Sequence, residues 1–381
     1  MKNFITIFEK CENIHLIKDV GQIPYLMYRY FGFKSKIVTY KNSKEYNYLD
    51  KEVEGLELKF LPKIKVGRYS LSILWYLFFH AKDIDVLHLF HHREKTYLNF
   101  LMYKWRNPDG VAFLKSDIGL NTLKEYGTFF AQTKPKYWIR NWLLKKAIKK
   151  IDIISIESDI GIDIVKNKYR KYENKFLFLP NGINLENMHT LVPLKSFAEK
   201  QNIVLTVGRI GAKEKNNELL LEAISNINIT NNYQFIFIGP IEKEFQSTIN
   251  RFYIENPKLK NSVRFLGLIE DRRELYEWYA KSKIFCLTSI EESFGFVLIE
   301  AMAYKNFIIT TPISSANEIT DDKRCGMIIS SQKELVKALE YCMSNDEFLQ
   351  NKANLILDKV NSSFNWKKRL KILNDKIEEK T

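Results

Sequence analysis

The sequence lacks the features that mark secreted, zinc-binding and membrane-spanning proteins. Its four cysteines are far apart, form no Cys-x-x-Cys pair and have no histidine at ligand spacing, which argues against a disulfide framework and a zinc site. The longest apolar run, residues 71–81, is too short to span a bilayer. The first 15 residues contain no apolar segment of signal-peptide length. We therefore expect a cytoplasmic protein, either free or peripheral on the inner face of a membrane.

Low-complexity tracts and internal repeats are also missing, so disorder is not expected. Apolar residues make up 45% of the chain and charged residues 27%, which is ordinary for a globular protein. A chain of 381 residues is long enough for two domains, each with its own hydrophobic core.

The net charge of +14 is concentrated in the first half of the chain. Residues 1–190 hold 32 basic and 20 acidic side chains, and residues 95–150 hold 12 basic and 3 acidic ones. Helical spacing predicts that Trp138, Trp142 and Leu143 lie near one another. One arginine and four lysines are expected around them: Arg140, Lys145, Lys146, Lys149 and Lys150. This segment fits either an anionic membrane surface or a core-packed helix with a solvated basic face.

Short apolar runs alternate with helix-length segments throughout the first half. The predicted strands cover residues 4–8, 35–40, 57–60, 86–90, 111–115 and 151–156. This alternation predicts an α/β domain with a doubly wound parallel sheet. Ligands bind such sheets beyond the carboxyl ends of the strands, which marks the loops after Phe8, Phe90, Lys115 and Ile156.

A second alternating series follows the turn Pro180-Asn181-Gly182. Its predicted strands cover residues 203–207, 235–238, 263–266, 284–287, 307–310 and 327–329. The second half therefore has a sheet of its own. The tail from residue 364 is predicted to form an amphipathic helix.

The stretch over residues 284–303 carries the most informative motif. It runs from an apolar strand through a tight loop into a helix that begins near Phe296. Such a junction offers unpaired backbone N–H groups and the positive end of a helix dipole to a phosphate, and Gly295 lets the backbone approach closely. Glu292 lies in the loop and Glu300 about two helical turns further on. Two acids that flank an anion cradle suit a ligand with hydroxyls at both ends.

A glycine-containing turn follows the strand over residues 203–207. Gly208 and Arg209 are followed by Lys213 and Lys215, and then by a predicted helix over residues 218–224. Because arginine offers a planar fork of donors and lysine a mobile point charge, this turn suits a diphosphate.

These motifs, in this order, resemble the retaining glycosyltransferases of family 4, which have the GT-B fold. The resemblance rests on the Pro-Asn-Gly turn, the Arg-Lys turn, the Glu-x7-Glu spacing of Glu292 and Glu300, and the terminal helix. It implies two Rossmann-like domains that face a central cleft, with the C-terminal helix crossing back to the first domain. The expected domains are residues 1–184 with 364–381, which bind the acceptor, and residues 198–363, which bind the nucleotide sugar.

The resemblance also implies roles on the donor side. In the family an arginine and a lysine five positions later hold the diphosphate; this chain has Glu214 there, so Lys215 is assigned, with Lys213 as the alternative. The first glutamate meets the donor sugar, the second meets the ribose, and a loop at Leu268 meets the nucleobase. The implied donor-binding residues are Gly208, Arg209, Lys215, Leu268, Glu292, Ser293, Phe294, Gly295, Phe296, Val297 and Glu300. The implied catalytic residues are Glu292, Arg209, Lys215 and Asp117.

The acceptor side departs from the family. Many members have a His-Asp pair where this chain has Lys115-Ser116-Asp117, so Asp117 would orient the sugar without that histidine. His91, in a histidine-rich segment after another strand, is a second candidate contact, although a single histidine is more often structural. Gly21 is a third, because it is predicted to lie in the loop before a helix over residues 24–31.

The function implied by the resemblance is hexosyl transfer with retention of configuration. The donor is expected to be a UDP-sugar, and the acceptor a growing cell-surface polysaccharide or a lipid-linked oligosaccharide. Family members need no metal cofactor, and Asp83-Ile84-Asp85, which matches the Asp-x-Asp form of metal-dependent transferases, precedes an apolar run and more simply ends a helix.

Two other classes remain open from the sequence alone. One is a GT-B-type epimerase or phosphorylase, and the other is a non-enzymatic protein that binds membranes or nucleic acid through its basic first half. No nucleic-acid-binding motif is recognised, so we expect no nucleic-acid partner.

Overall fold

The computed structural model describes residues 1–116, 138–227, 231–292 and 294–380. The chain divides into two compact units. The first unit comprises Met1–Asn181 and Trp366–Thr381, and the second comprises Gly182–Asn365. No helix within the described ranges is long and apolar enough to cross a membrane.

The first unit is built on a seven-stranded parallel sheet. Its strands are β1 (Asn3–Ile7), β2 (Lys34–Thr39), β3 (Glu57–Phe60), β6 (Val86–Phe90), β7 (Val111–Ser116), β8 (Ile153–Ile156) and β9 (Phe176–Phe178). Their order is β3-β2-β1-β6-β7-β8-β9, so the winding direction reverses between β1 and β6. The two short strands β4 (Lys65–Val66) and β5 (Tyr69–Ser70) form a separate antiparallel pair. Every residue of β6, β7 and β8 is buried, as expected for a parallel sheet covered on both faces.

Helices cover this sheet. They are α1 (Asp19–Phe31), α2 (Tyr48–Glu52), α3 (Leu71–His80), α4 (Glu94–Arg106), α5 (Trp138–Lys150), α6 (Asp159–Lys168) and, at the end of the chain, α15 (Trp366–Glu378). Helices α3, α4 and α5 pack side by side, and their buried side chains share one core with β1 and β6. Each of these helices contributes a fully buried side chain to that core, namely Leu77 from α3, Phe100 from α4 and Ala147 from α5.

The terminal helix α15 packs against α1 within the first unit. Its buried residues Trp366, Leu370, Leu373 and Ile377 recur at helical spacing and join the apolar cluster that contains Phe4. The predicted amphipathic tail is therefore confirmed.

Gly21 lies inside α1, so its predicted position in a loop was wrong. The helix begins at Asp19, five residues before the predicted start at Pro24. A β-carbon on Gly21 would clash with the backbone of Leu16, which belongs to the preceding turn. The absence of a side chain at Gly21 therefore allows the backbone of Leu16 to pack closely against the first turn of the helix.

The second unit is built on a six-stranded parallel sheet. Its strands are β10 (Gln201–Val207), β11 (Gln234–Ile238), β12 (Val263–Phe265), β13 (Ser282–Leu287), β14 (Phe307–Thr310) and β15 (Gly326–Ile328). Their order is β12-β11-β10-β13-β14-β15, and the winding direction reverses between β10 and β13. Ligands of such sheets bind where the order reverses.

The helices of the second unit alternate with these strands. They are α7 (Leu185–Leu191), α8 (Asn217–Ser225), α9 (Gln246–Glu255), α10 (Arg272–Lys281), α11 (Phe296–Ala303), α12 (Ala316–Ile319), α13 (Gln332–Met343) and α14 (Asp346–Ser363). Short 3₁₀ helices in the chain include Asn13–His15, Ala81–Asp83, Arg170–Lys175, Phe197–Glu199, Lys213–Lys215, Lys243–Phe245 and Pro257–Leu259. The sequence predicted twelve strands of the two large parallel sheets, and all twelve are confirmed. The observed strand ends differ from the predicted ends by at most two residues.

Candidate active site

The junction between β13 and α11 has the predicted strand, loop and helix form. Gly295 stands immediately before the helix with φ +83°, a conformation that other residues rarely adopt. Phe296 and Val297 follow as the first two helical residues, and their N–H groups have no intrahelical acceptor. The junction thus has the form of a helix amino terminus that binds an anion.

Side-chain contacts hold the loop before this helix in place. Phe294 is buried, and its ring meets that of Phe296 edge to face at 5.5 Å. The hydroxyl of Ser315 donates to the carbonyl of Phe294 at 2.6 Å, and that of Ser314 donates to the carbonyl of Glu292 at 3.0 Å. The predicted site residue Ser293 lies outside the described residues.

Glu292 and Lys215 form an ion pair across the two loops that follow β13 and β10. The hydroxyl of Ser289 also donates to the Glu292 carboxylate, at 2.9 Å. The stem of Lys215 passes over Gly208, where a β-carbon would lie 3.7 Å from Cε of the lysine. Gly208, Lys215 and Glu292 are therefore brought together.

Backbone contacts fix Lys215 rather than Lys213 in this position. The hydroxyl of Thr288 donates to the carbonyls of Lys215 and Asn216 at 3.2 and 2.9 Å. The Ile290 amide donates to the carbonyl of Glu214 at 2.8 Å. Asn216 has a left-handed backbone with φ +47°, and the side chain of Lys213 is exposed. Lys215, and not Lys213, is therefore the lysine of this turn that pairs with Glu292.

The loops after β10 and β13 border a crevice, and Arg209 lies at its rim. Its guanidinium pairs with Glu214 and lies 3.9 Å from Glu242, and its side chain is 58% exposed. The backbone amide of Glu214 and the Arg209 guanidinium hold the pKa of the Glu214 carboxyl below its ordinary value. Since its partners are on an exposed rim, Arg209 can exchange them for a ligand at little cost.

A floor of glycines lies beyond the ends of three neighbouring strands. Gly208, Gly239 and Gly267 follow β10, β11 and β12, and the amide of Gly239 donates to the carbonyl of Gly267 at 2.8 Å. Gly239 has φ +141°, and a β-carbon there would clash with the carbonyl of Gly208. The adjoining side chain of Leu268 is 59% exposed. Gly239 was not predicted from the sequence, although its place directly after a strand was a usable signal.

Glu300 is held from one side by α10. One carboxylate oxygen accepts from Arg272 Nη2 at 2.9 Å, and the other accepts from the Tyr279 hydroxyl at 3.1 Å. Glu300 is 9% exposed and Tyr279 is fully buried. Neither Arg272 nor Tyr279 was predicted, because their contact with Glu300 joins residues 21 or more positions apart.

The first unit has a cavity of about 230 Å³ where its strand order reverses. Its wall includes the loops after β1 and β6, with Phe8, Glu9, His15, His91 and Lys95 among the lining residues. The rings of His15, Phe90 and His91 surround Phe8 at centroid distances of 5.3 to 6.0 Å. The cavity thus combines aromatic rings with charged groups.

Charges at this cavity are arranged around Glu9. Its two carboxylate oxygens pair with Lys65 at 3.1 Å and with Lys95 at 2.8 Å. Burial lowers the pKa of His15, whose Nδ1 accepts from the Glu12 amide at 3.0 Å, so the neutral ring carries its proton on Nε2. His91 has a left-handed backbone with φ +61°, which is strained for a histidine and is typical of functional sites.

The other acceptor-side predictions have separate outcomes. His91 lines the cavity, Gly21 does not, and Asp117 lies outside the described residues. Lys115, two residues before it, is fully buried and pairs with Glu157, and its Nζ lies 3.8 Å from Asp19 Oδ2. The neighbour of His91, His92, has Nε2 2.8 Å from the Ser116 hydroxyl and Nδ1 2.9 Å from that of Tyr97.

No group of three or more histidine, cysteine, aspartate or glutamate side chains that could hold a metal ion occurs within the described ranges. Asp83 ends a 3₁₀ helix, and Asp85 accepts from the Asn3 amide at 2.6 Å. The Asp-x-Asp segment therefore lies at the amino end of β6, away from the carboxyl ends where ligands of such sheets bind.

Exposed aromatic side chains lie on the outer sides of α3, α4 and α5. We call the following set the aromatic face: Trp75, Phe79, Trp105, Trp138 and Trp142, which are between 49% and 72% exposed. Leu143 is buried in the core between α5 and its neighbours, as the core-packed alternative predicts, whereas Trp138 and Trp142 are exposed. Lys145, Lys146, Lys149 and Lys150 are exposed on α5.

Comparison with known proteins identifies the class of enzyme. Residues 193–354 match the family model of the glycosyl transferases group 1. A Campylobacter jejuni relative, named as an alpha-1,4-N-acetyl-D-galactosaminyltransferase of a PP-undecaprenol-linked glycan, is 27% identical over 69% of this chain and 68% of its own length. The chain is a glycosyltransferase.

Solved structures assign the fold of this glycosyltransferase to GT-B. A glycosyltransferase from Rickettsia africae aligns with a TM-score of 0.72 and 18% identity over 100% of this chain and 98% of its own. HepE from Anabaena, in complex with UDP and glucose, aligns with a TM-score of 0.70 and 13% identity over 100% of both chains. Both crevice loops of the second unit, with Arg209, Lys215, Glu292 and Glu300, lie in the segment that matches the family model.

Proposed function

We propose that this glycosyltransferase moves a sugar from a UDP-sugar to a lipid-linked oligosaccharide or a growing polysaccharide, with retention of configuration. The observation that carries the proposal is the Lys215–Glu292 pair beside the glycine floor and the amino terminus of α11. Cations, backbone amides and a carboxylate meet there at the reversal point of the second sheet. This combination suits a sugar diphosphate.

The donor diphosphate lies between Lys215, Arg209 and the amides of Phe296 and Val297 in this proposal. An ammonium group has three donors, so Lys215 can keep Glu292 as a partner while it binds a phosphate oxygen. Arg209 leaves its rim partners and adds a planar pair of donors. Gly295 and the glycine floor allow the diphosphate to reach the backbone.

Glu292 acts at the sugar. As the bond from the anomeric carbon to the phosphate oxygen breaks, positive charge develops on the ring, and a nearby carboxylate stabilises that charge. The acceptor hydroxyl oxygen then forms the new bond on the same face, and its proton passes to the departing phosphate oxygen. Glu300 binds the ribose, and the exposed loop at Leu268 meets the base.

The acceptor sugar occupies the cavity of the first unit. Its volume of about 230 Å³ is smaller than the 300–1,000 Å³ typical of sites for larger ligands, which suits one sugar ring. Phe8 offers an apolar surface for the ring, and Glu9, Lys95 and His91 offer partners for its hydroxyls.

The names of relatives support both substrates. The Campylobacter jejuni relative is named for transfer to an undecaprenol-diphosphate-linked acceptor, and HepE was solved with UDP and glucose. Since the relatives are named transferases, we favour transfer over the epimerase and the non-enzymatic alternatives.

Product analysis tests the proposal. The protein is incubated with UDP-N-acetylgalactosamine, UDP-N-acetylglucosamine, UDP-glucose or UDP-galactose and an undecaprenyl-diphosphate-linked glycan, and the product is examined by mass spectrometry and NMR. We expect one donor to add one sugar with an α-anomeric signal, since these donors are α-linked. A β-linked product would contradict retention, and transfer from none of them would contradict the donor assignment.

We further propose that transfer needs no divalent metal, because Lys215, Arg209 and the α11 terminus supply the charge that a metal would otherwise provide. The rate in EDTA is expected to equal that in magnesium. A loss of activity in EDTA that magnesium restores would contradict this part of the proposal.

We also propose that the aromatic face binds an anionic membrane surface. Exposed tryptophans favour the interface between water and lipid, and the four lysines on α5 complement acidic headgroups. Binding through this surface would bring the first unit to the membrane that holds a lipid-linked acceptor.

Vesicle flotation tests this surface. We expect the protein to float with vesicles containing phosphatidylglycerol, less so as salt rises, and not after Lys145, Lys146, Lys149 and Lys150 are changed to Glu. Replacing Trp75, Phe79 and Trp105 by Ser should also weaken flotation. Equal flotation with neutral vesicles would point to apolar insertion alone, and no flotation would contradict the proposal.

A further inference from the structure

Glu300 is clamped by two side chains of α10 that approach different oxygens of its carboxylate. Arg272 binds Oε1 at 2.9 Å, and the Tyr279 hydroxyl donates to Oε2 at 3.1 Å. All three residues lie in the second unit. The clamp therefore fixes the plane of the carboxylate as well as its position.

Arg272 is itself fixed by its place on α10. It is the first residue of the helix, and the preceding Asp271 accepts from the Arg273 amide at 2.9 Å as an N-cap. Tyr276 lies one turn further on, and its ring is 4.6 Å from the Arg272 guanidinium. Stacking and the helix start thus hold the guanidinium toward Glu300.

Tyr279 is fixed by aromatic packing. Its ring lies parallel to that of Tyr304 with 6.5 Å between centroids, and the Tyr304 hydroxyl donates to the Met188 carbonyl at 2.8 Å. Burial, together with the Glu300 carboxylate, raises the pKa of Tyr279 well above its ordinary value. The hydroxyl therefore stays protonated and donates to Glu300.

The number of hydrogen bonds leaves room for a specific ligand. A carboxylate has about four lone-pair positions, two on each oxygen. Arg272 and Tyr279 use one on each, which leaves one on each oxygen for a ligand. Two acceptors at the separation of carboxylate oxygens match two hydroxyls on adjacent carbons, as in a ribose.

We propose that Arg272 and Tyr279 are positioning residues that aim Glu300 at the ribose diol and so make the site prefer ribonucleotides to 2′-deoxyribonucleotides. This inference rests on the proposed role of the second unit as the site for a nucleoside diphosphate. It adds the residues on which that discrimination depends.

The experiment compares binding of UDP and 2′-deoxy-UDP by isothermal titration calorimetry. We expect the parent protein to bind UDP more tightly by about 10-fold or more, because 2′-deoxy-UDP lacks one hydrogen bond to a charged group. Tyr279→Phe and Arg272→Met should reduce that ratio to within about threefold of unity, and Arg272→Lys should restore part of it. With a UDP-sugar, the same variants should raise KM and leave kcat nearly unchanged.

Tyr304→Phe is the matched control. It removes a hydroxyl from the ring stacked on Tyr279 but leaves both hydrogen bonds to Glu300 in place. It should lower the unfolding temperature and keep the preference for UDP. If the clamp had only a structural role, Tyr279→Phe would likewise lower the unfolding temperature and keep the preference for UDP.

The outcomes separate this inference from the proposed function. If the parent binds UDP but does not prefer it to 2′-deoxy-UDP, or if Tyr279→Phe and Arg272→Lys keep the parent ratio while folded, the inference is wrong. If the parent binds no nucleoside diphosphate, the proposed function itself fails. Should Arg272→Met not fold, the two conservative variants decide the result.

Discussion

The two units place their candidate sites at equivalent points of their sheets but build them from different groups. In the second unit the crevice between β10 and β13 is formed by Gly208, Gly239 and the amino terminus of α11. In the first unit the cavity between β1 and β6 is lined by side chains, among them Phe8 and Glu9. A diphosphate can be held by backbone amides and two cations, whereas a sugar acceptor needs a shaped wall and partners for its hydroxyls.

The largest expected effect separates chemistry from binding within the second unit. Glu292→Ala should lower kcat by about 100-fold or more, because its carboxylate acts only as charge develops on the sugar. UDP affinity should remain nearly that of the parent. Steady-state kinetics and titration with UDP measure the two quantities.

Glu300→Ala is the contrasting variant. It should weaken UDP binding by about 1.5 to 3 kcal/mol and lower turnover at saturating donor less, because the ribose contact exists before and during the reaction. If Glu300→Ala binds UDP as the parent does, its assignment to the ribose is wrong.

A substitution in the glycine floor is expected to have the next largest effect, a loss of stability. Gly239→Ala places a β-carbon against the Gly208 carbonyl at φ +141°, so we expect a loss of about 3 kcal/mol in the free energy of unfolding. Gly267→Ala is the control, since it has φ +73° but open space around it and should lose only about 1 kcal/mol. Equal losses in denaturant unfolding would show that close backbone approach does not shape this floor.

Each unit has a buried lysine, and the two lysines, Lys115 and Lys200, differ in the groups that surround them. Lys115 pairs with carboxylates, whereas Lys200 donates to the carbonyls of Ala280, Ser282 and Tyr304 at 2.6 to 3.2 Å. Burial lowers the pKa of Lys200 from 10.5 to about 7. Between these values the unfolded chain holds a proton that the folded chain has released, so stability rises with pH.

Thermal unfolding at pH 7 and pH 9 measures this slope. The parent should gain up to about 2 kcal/mol relative to Lys200→Met over this range. A parent and a Lys200→Met variant with parallel pH profiles would show that Lys200 stays protonated.

The smallest expected effect concerns the acceptor cavity. Glu9→Gln removes the charge shared by Lys65 and Lys95 and should raise the acceptor KM by about tenfold, while UDP affinity is unchanged. Glu94→Gln is the control, because Glu94 also lies in an ion pair of the first unit, with Arg68, but does not line the cavity. A change in UDP affinity for Glu9→Gln would contradict the division of roles between the units.

The sequence predicted the second site better than the first for a physical reason. Gly295 and the spacing from Glu292 to Glu300 belong to one local stretch, so their relative positions follow from a strand, a turn and a helix. The cavity of the first unit joins Glu9 to Lys65 and Lys95, and these ion pairs are visible only once the sheet is assembled.

The same limit explains the residues that were missed or misplaced. Arg272 and Tyr279 reach Glu300 from a different helix, and Gly21 belongs to a helix that begins earlier than its apolar residues suggest. The burial of Leu143 beside the exposed Trp142 could not be predicted, because helical spacing alone does not tell which side of α5 meets the core.

The central claim, that the second unit binds a nucleoside diphosphate through Lys215, is tested most directly by thermal unfolding with UDP. Binding to the folded state raises the unfolding temperature. We expect UDP to stabilise the parent and Lys213→Ala alike, and to stabilise Lys215→Ala far less. No stabilisation of the parent by UDP or any other nucleoside diphosphate, or full stabilisation of Lys215→Ala, would contradict the claim.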